Sequence, residues 1–496
     1  MHTGVASLAA FYQIDMTVGG TNSAAAFIAS ARITNDDGEL DTPYEDDDGV
    51  HRVLQARLLS NVLKDVVNHF RPLGVRIFVL SFNIVGHIWS QATRRLVPRN
   101  SWVARTIDQL SREHDVVFVT ITGNISPADV KDLLADRRYP DYLRNPVAKL
   151  LDPGHAALAV TVGSIAHSSR VVVAPAIPIA RENQPSPFTR TGPGFDDSVK
   201  PDFVERGGNL VRDPQLGILH NAGTNVVMAS NQLTPPLQHS HGTSFAAPRV
   251  ANHLAVIARE LRPVVPQPSA PLLRAFLALS AELPSDSPLR TQDELLNTVG
   301  YGLPDGTRAT NCAGHSVVLF FEGSLKADQV ALFRVPVPDE IKESGRARKR
   351  IVVAVTTAPP VQPWGVGEYL GANFKFRLFR GDKSIDDIAA MMQRDEDEEN
   401  LPADVKVEDL PSRLGIRRRS VGTLQRDAFE WDDHDAAYSA DDYILAVALS
   451  AASWCKSNPP DVRIGVAVRL EDTTGKCQQL HARVRARVQA QARARA

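Results

Sequence analysis

Residues 241–250 have the composition of a turn that presents a nucleophile. They read His-Gly-Thr-Ser-Phe-Ala-Ala-Pro-Arg-Val, so the Ser244 hydroxyl follows Gly242 and precedes an alanine-rich segment. Glycine permits a sharp turn and a close approach of the backbone to a ligand, and the unpaired amides at a helix start stabilise an anion. This pattern favours attack by Ser244 on a carbonyl, with the resulting oxyanion held at the helix start. The alternative is that Thr243 or Ser244 only caps the helix.

Segments on both sides of this turn resemble the subtilisin-like serine peptidases (subtilases), in the family's order. Residues 241–248 resemble the serine motif of that family. Residues 75–82 and 115–124 read as buried parallel strands, and the second ends in Gly-Asn. The further matching segments are residues 160–164, 186–194, 200–202, 277–281 and 300–302. The resemblance covers roughly the first three fifths of the chain. It implies an α/β fold with a parallel sheet flanked by helices.

The resemblance also implies roles for individual residues. Ser244 takes the position of the family's nucleophile, and Asn124 takes that of the side-chain oxyanion donor. The strand at residues 75–82 is similar to the one that pairs with the substrate backbone in subtilases. Ser81, Phe82 and Asn83 are therefore the expected substrate-binding residues. The implied reaction is hydrolysis of a peptide bond in a polypeptide substrate.

The catalytic base is harder to place. A serine nucleophile needs a histidine to take its proton and usually a carboxylate to orient that histidine. When Val5 and Ala6 are aligned with the family's His-Gly-Thr-x-Val-Ala motif, the histidine position falls on Met1 and nothing remains for the aspartate. A shift of one residue makes His2 the candidate base, although successive helical residues differ by about 100° around the axis. We therefore expect the sequence to begin inside the peptidase domain and to be feebly active at best as it stands.

Other side chains are candidates for a base or for metal binding. His239 and His241 flank the serine turn, and the alternative is that both are ordinary loop histidines. Acidic runs at residues 36–38 and 45–49 carry the oxygen ligands that Ca²⁺ prefers, and subtilases often hold calcium. Their spacing does not match an EF-hand loop, and acidic runs are usually solvated. No other cofactor is expected.

Composition narrows the class and compartment of the protein. With 43% hydrophobic and 23% charged residues the chain is typical of a soluble globular protein, and 496 residues exceed one ordinary core. A net charge of -2 disfavours bulk attraction to nucleic acid or to an anionic membrane. Cys312, Cys455 and Cys477 are sparse and odd in number, which favours reducing surroundings. A signal-peptide pattern and an apolar run of about 18 residues are both missing, so a cytoplasmic location is expected.

A second domain is predicted after residue 305, where helix–strand alternation gives way to short alternating runs. We divide the chain into a peptidase domain at 1–305 and a C-terminal β-rich domain at 306–496, a predicted β-sandwich. The predicted strands are residues 316–322, 330–337, 350–356, 374–379, 443–451 and 462–470. The acidic stretch at 394–409 reads as a loop. In residues 481–487 arginine alternates with alanine and valine, which predicts an edge strand that either binds a polyanion or resists aggregation.

The sequence thus predicts an intracellular, bacterial-type subtilase. Its layout, including Gly300–Gly302 and the arginine-alternating tail, resembles a subfamily encoded beside an AAA-type ATPase in plasmid toxin-antitoxin or phage-defence pairs. That resemblance implies such an ATPase as a partner. Two other classes stay open. One is a catalytically inactive fragment or pseudoenzyme that binds extended peptides by strand addition. The other is an esterase or transpeptidase that keeps the nucleophile but changes the acceptor.

Overall fold

The chain forms two compact units. The computed structural model describes residues 2–13, 24–31, 50–84, 89–90, 95–96, 101–172, 175–339, 341, 349–362, 368–393, 421–431 and 441–485. Unit 1 comprises residues 1–260 and 281–306, and unit 2 comprises residues 261–280 and 307–496. The division differs from the predicted boundary in residues 261–280, which group with unit 2.

Helices and strands are numbered here in chain order. The helices are α1 (His2–Phe11), α2 (Val50–Phe70), α3 (Trp102–His114), α4 (Pro127–Asp136), α5 (Thr243–Leu261), α6 (Ala270–Ser280), α7 (Gln292–Val299), α8 (Gly306–Thr310) and α9 (Ile385–Gln393). The strands are β1 (Ile77–Leu80), β2 (Trp89–Ser90), β3 (Arg95–Leu96), β4 (Val117–Ile121), β5 (Val160–Ile165), β6 (Ile177–Pro178), β7 (Phe203–Arg206), β8 (Val211–Asp213), β9 (Gly217–Leu219), β10 (Val226–Ala229), β11 (Leu237–Ser240), β12 (Ser316–Lys326), β13 (Val330–Pro336), β14 (Lys349–Ala358), β15 (Ala372–Arg380), β16 (Leu424–Trp431), β17 (Asp442–Ala451) and β18 (Asp461–Asp472).

A parallel sheet forms the centre of unit 1. Its strand order is β1-β4-β5-β7, and each neighbouring pair is parallel. β4 and β5 are buried along their whole length, as expected for strands covered on both faces. The carboxyl ends of parallel strands lie at one edge of a sheet, which is where α/β proteins bind their ligands. The residues after β1 and β4 therefore meet at that edge.

Helices α2 and α3 support β1 and β4. Ser101 caps α3, because its Oγ accepts a hydrogen bond from the Ala104 amide at 3.0 Å. The apolar side of α3 packs with α2 and the sheet in one cluster, which includes Ile107, Leu63, Phe78 and Phe118. This packing holds the two strands that carry the expected substrate-binding and oxyanion residues.

Helix α1 contacts α5 at two places. Val5 and Leu8 of α1 share a cluster with Phe245, near the start of α5. Further along both helices, Asn252 Nδ2 donates to Ala9 O at 2.9 Å and to Ala10 O at 3.0 Å. The middle of α1 therefore lies near the start of α5, and the last residues of α1 are bonded to Asn252.

Unit 2 contains two antiparallel sheets, with strand orders β12-β18-β14-β16 and β13-β17-β15. Side chains of both sheets, such as Val353 and Val468 from the first and Phe376 and Leu445 from the second, share one core cluster. The predicted mixed α/β fold with an added β-rich part is confirmed. Strand β16 had no counterpart among the predicted strands.

The predicted strand at the C-terminal tail is wrong for the described residues. Residues 480–485 are helical. Leu480 and Val484, four positions apart, are both buried in the core cluster of unit 2, whereas Arg483 and Arg485 are exposed. Burial of Leu480 and Val484, which lie one helical turn apart, favours a helix here more than the alternation of arginine with alanine and valine favours a strand.

Two further observations complete the fold. The acidic stretch at 394–409 and residues 486–496 lie outside the described residues. Across the part of the chain that the structure describes, none of the helices has the length and apolar character that crossing a membrane requires.

Candidate active site

Ser244 lies in the first turn of α5, directly after the turn that follows β11. Gly242 in that turn has φ +142°, a backbone conformation that favours glycine, and its amide donates to Gly207 O at 2.8 Å. A Cβ on Gly242 would lie 3.2 Å from Asn124 Nδ2. The glycine therefore allows the serine turn to approach Asn124 closely.

The carbonyl of Ser244 is freed by a proline one turn further along α5. Pro248 has no N–H, so it cannot donate the usual helical hydrogen bond to Ser244 O. Ser81 Oγ donates to that oxygen instead, at 3.3 Å. In return, Ser244 Oγ donates to Ser81 O at 3.2 Å. These reciprocal bonds fix the candidate nucleophile beside the end of β1.

Asn124 follows β4 and points its side chain at the same turn. Its Oδ1 accepts hydrogen bonds from the Thr243 amide at 2.9 Å and from Thr243 Oγ1 at 3.1 Å. Because Oδ1 is held by two donors, the orientation of the amide is fixed. Within the described part of the chain Nδ2 has no hydrogen-bond partner. It is therefore free to donate to a ligand next to Ser244.

The three expected substrate-binding residues differ in what they present. Ser81 and Asn83 turn their side chains to the edge where Ser244 and Gly123 lie. Phe82 packs instead against the core cluster of the sheet. This difference agrees with the alternation of side chains along an extended segment.

The histidine candidates are not brought together with Ser244 by any described contact. The side chain of His2 lies outside the described residues, although its backbone begins α1. His241 Nδ1 is 3.0 Å from His220 Nδ1, and burial followed by the charge of His220 lowers the pKa of His241 to about 4. His239 is exposed on β11. His241 is thus a neutral partner of His220 at ordinary pH.

The comparison with protein families agrees with this geometry. A model of the subtilase family matches residues 3–302, which is more than half of the chain. The chain belongs to the subtilase family. Its resemblance to that family, predicted from the serine motif, is confirmed. The fold, with its parallel sheet flanked by helices, is that of the family.

Several proteins are similar to this subtilase. The uncharacterized protein y4bN of Sinorhizobium fredii (strain NBRC 101917 / NGR234) is 34% identical over 324 residues, which are 62% of this chain and 72% of that protein. Among solved structures, the serine protease MycP1 of the type VII (ESX-1) secretion system is 18% identical with a TM-score of 0.38, covering 62% of this chain and 72% of its own. A lanthipeptide protease is 18% identical with a TM-score of 0.34, covering 56% and 68%.

This subtilase also contains a buried polar cluster that sequence reasoning missed. Glu205 of β7 is fully buried, and its Oε2 lies 3.2 Å from both Tyr12 Oη and His253 Nε2. The Gly306 amide donates to His253 Nδ1 at 3.1 Å, so the proton of His253 is on Nε2 and is donated to Glu205. Arg249 lies 5.2 Å over the Tyr12 ring. Burial raises the pKa of Glu205, but the His253 hydrogen bond and nearby positive charges outweigh it and lower that pKa.

The cluster ties together the end of α1, the end of β7 and one face of α5. Arg249 and His253 are four residues apart on α5, which is the only sequence signal that they share a face. The chain separates Tyr12 from Glu205 by 193 positions, so a motif search has no means of pairing them. The cluster contains a carboxylate and an imidazole, but no described contact joins it to Ser244.

A metal site is not formed by the described residues. They contain no group of three or more His, Cys, Asp or Glu side chains that could hold an ion. The acidic runs at 36–38 and 45–49, the candidates for calcium, lie outside the described ranges. Calcium binding there stays a prediction.

Proposed function

We propose that this subtilase is a serine endopeptidase in which Ser244 attacks the carbonyl carbon of a peptide bond. The oxygen of that carbonyl then becomes an oxyanion, held by Asn124 Nδ2 and the Ser244 amide. The acyl group is transferred to Ser244 Oγ as the amine leaves, and water later releases it. Membership of the family supports a serine peptidase in general, and the two named donors are our assignment.

The observation that carries the proposal is the fixed amide of Asn124. Thr243 precedes the nucleophile directly and holds Asn124 Oδ1 through two hydrogen bonds of 2.9 and 3.1 Å. Donors that are already oriented stabilise a developing oxyanion without reorganisation at the moment of reaction. A merely structural asparagine would have no need of an outward Nδ2 beside a serine.

The proton of Ser244 needs an acceptor during the attack, and we place it at the start of α1. This placement is supported by Val5 of that helix, which packs against the cluster that contains Phe245, the residue after Ser244. His2 at its first turn is the base that the sequence offers. Ser81 O accepts the Ser244 hydroxyl in the resting structure, so the hydroxyl must turn away from this carbonyl to reach a base.

Labelling with a fluorophosphonate, followed by intact-mass measurement, tests the nucleophile. We expect one adduct on the protein, its localisation to Ser244, and its loss in Ser244→Ala. Ser240→Ala is a matched control, because Ser240 ends β11 four residues earlier, and it should label like the parent protein. Adduct formation that persists in Ser244→Ala would contradict the assignment.

The inactive peptide-binding alternative is favoured by the bond that occupies the Ser244 hydroxyl in the resting structure. It predicts no adduct with the fluorophosphonate, together with retained binding of an extended peptide. An esterase or transpeptidase would be labelled like a peptidase. Turnover of a peptide anilide compared with that of the matching ester separates these two active classes.

For the biological setting, we keep the proposal of an AAA-type ATPase partner in a toxin-antitoxin or phage-defence pair. Its support is the layout of the sequence, in which a subtilase part precedes a β-rich part and a basic tail. The test is co-expression with the product of the adjacent gene and measurement of complex formation. An adjacent gene that encodes no ATPase would overturn it.

A further inference from the structure

The geometry restricts where a substrate residue can lie. An attacked carbonyl must fit between Ser244 Oγ and Asn124 Nδ2, and these atoms are beside the ends of β1 and β4 respectively. The side chain of the residue that carries this carbonyl, here called the acyl residue, is one Cα away. It therefore meets the cleft between the ends of the two strands.

Asn83 spans that cleft. Its Nδ2 donates to Ile121 O, at the end of β4, and to Asp152 O, each at 3.3 Å. An amide nitrogen has two protons, so both donors are committed. The side chain is thereby tied to the far wall of the cleft, although its own backbone belongs to the segment after β1.

The far wall itself is closely packed. Gly123 has φ +96°, and a Cβ added to it would lie 3.0 Å from Asn83 Oδ1, 3.0 Å from Leu151 Cδ1 and 3.1 Å from Arg190 Cδ. Contacts of this kind are tighter than ordinary van der Waals distances between carbon atoms. There is no room on this face of Gly123 even for one methyl group unless a neighbour shifts.

Arg190 makes this wall resistant to movement. Its Nε donates to Asn124 O at 3.0 Å, and its Nη1 donates to Val147 O at 2.6 Å and to Lys149 O at 3.0 Å. The guanidinium thus joins the segment that carries Asn124 to residues 147–149. Three hydrogen bonds to carbonyl oxygens oppose an outward swing of the side chain.

We propose that Asn83, backed by Leu151 and Arg190, limits the acyl residue to a small side chain, namely glycine, alanine or serine. This specificity rests on the proposed serine-peptidase function. A large aromatic or aliphatic side chain would have to displace Asn83 and break both of its hydrogen bonds. Asn83 is then a specificity-determining residue that faces the substrate and takes no part in the chemistry.

Two activated phosphonates that differ in one group test the proposal. Both are peptidyl diphenyl phosphonates, one with an alanine analogue and the other with a phenylalanine analogue at the acyl position. The rate of adduct formation on Ser244 is measured by intact mass for each probe. We expect the alanine probe to react at least about tenfold faster, since even one methylene in a binding pocket changes selectivity by that factor.

Substitution of Asn83 should weaken or abolish this preference. In Asn83→Ala and in Asn83→Gly, the rate for the phenylalanine probe should rise relative to that for the alanine probe by about tenfold or more. Asn68→Ala is the control, because Asn68 is exposed on α2, and it should keep the parent ratio. Thermal melting of each variant checks that it is folded. If one of the two Asn83 variants does not fold, the other still provides the test.

The outcomes separate the specificity from the function. Faster reaction of the phenylalanine probe with the parent protein, or an unchanged ratio in both folded Asn83 variants, overturns the role of Asn83 and leaves the peptidase intact. Absence of an adduct with both probes and with a plain fluorophosphonate overturns the peptidase proposal, and the specificity falls with it.

Discussion

At the scale of single residues, the backbone carbonyl and the hydroxyl of Ser244 both have partners in the segment after β1, and the Asn124 amide is held by Thr243. Ser81 Oγ donates a hydrogen bond to Ser244 O, and Ser81 O accepts one from Ser244 Oγ. Thr243 orients the Asn124 side chain by donating to its Oδ1. These interactions leave Asn124 Nδ2 without a partner within the described residues. An amide that is fixed but unsatisfied has its greatest effect on a charge that appears only during the reaction.

Asn124→Ala should accordingly lower kcat far more than it changes KM. The expected loss is roughly 10²–10³-fold, the value known for removal of one such donor in subtilisin, another member of this family. Asn124→Asp should be at least as harmful, because its carboxylate would repel the oxyanion. Steady-state kinetics on a peptide anilide give both constants. A raised KM with an unchanged kcat would reduce Asn124 to an ordinary turn residue.

At the scale of elements, sequence patterns located the strands but not the hydrogen bonds that connect them to α5. The apolar runs at 75–82 and 115–124 contain β1 and β4, but both strands end earlier than predicted, at Leu80 and Ile121, so Ser81 and Asn124 lie just after them. The two hydrogen bonds between Ser81 and Ser244 could not be predicted, because they join residues 163 positions apart in the sequence. The missing N–H of Pro248 was the available signal, since it leaves Ser244 O in need of a donor.

A double-mutant cycle tests whether Ser81 replaces the missing amide of Pro248 as the donor to Ser244 O. Ser81→Ala should destabilise unit 1 by about 1 kcal/mol, because Ser244 O loses its hydrogen bond. In Pro248→Ala the restored amide can donate to Ser244 O, so Ser81→Ala should cost less on that background. Urea midpoints of the four proteins measure the coupling. Equal losses on both backgrounds would show that the two donors do not compete for this oxygen.

The attachment of α1 to α5 depends on another single side chain. Asn252→Ala removes the two hydrogen bonds to Ala9 O and Ala10 O from a buried site. We expect faster hydrogen exchange at the amides of α1, with that of α3 unchanged, because α1 loses its fixed contact with α5. Peptide-level exchange with mass spectrometry measures both helices in one sample. Unchanged protection of α1 would mean that the apolar cluster at Phe245 suffices.

At the scale of the whole molecule, one buried and two partly buried histidines make stability depend on pH. The pKa values of His155, His167 and His241 are lowered to about 3, 4 and 4, in each case mainly by burial. An unfolded histidine binds a proton near pH 6.5. As the pH falls from about 6.5 towards 4, these histidines bind protons in the unfolded state but stay neutral in the folded state. The free energy of unfolding therefore decreases.

Asp152 acts in the opposite direction. Burial raises its pKa to about 6 against the lowering effect of the Ser101 hydrogen bond. Its contribution to stability is fully present below the unfolded pKa, near 4, and is lost as the pH rises through about 6. Asp152→Asn should therefore make the melting temperature fall more steeply on acidification from pH 6.5 to 4. A shallower fall in differential scanning fluorimetry would contradict this sign.

The sequence was least informative about long-range grouping. Period-two and apolar runs located six strands of unit 2, because alternation is a local property. The helical residues 480–485 were mistaken for a strand because arginine, alanine and valine suit either period over so short a stretch. The contacts of Glu205 with Tyr12 and His253 were not foreseeable, since residues far apart in the chain carry no shared pattern.

Helix α6 has a consequence for how such a gene can be divided. It lies inside the span matched by the family model, yet every one of its 11 residues is buried and it belongs to unit 2. Thr356 Oγ1 donates to Pro271 O, and Arg426 Nε donates to Ala278 O at 3.2 Å. A division of the chain at residue 305 would therefore separate α6 from the donors that residues 307–496 supply to it. Recombination at residue 305 would leave the apolar helix α6 without the residues that bury it. We therefore expect the two parts of the gene to be inherited together.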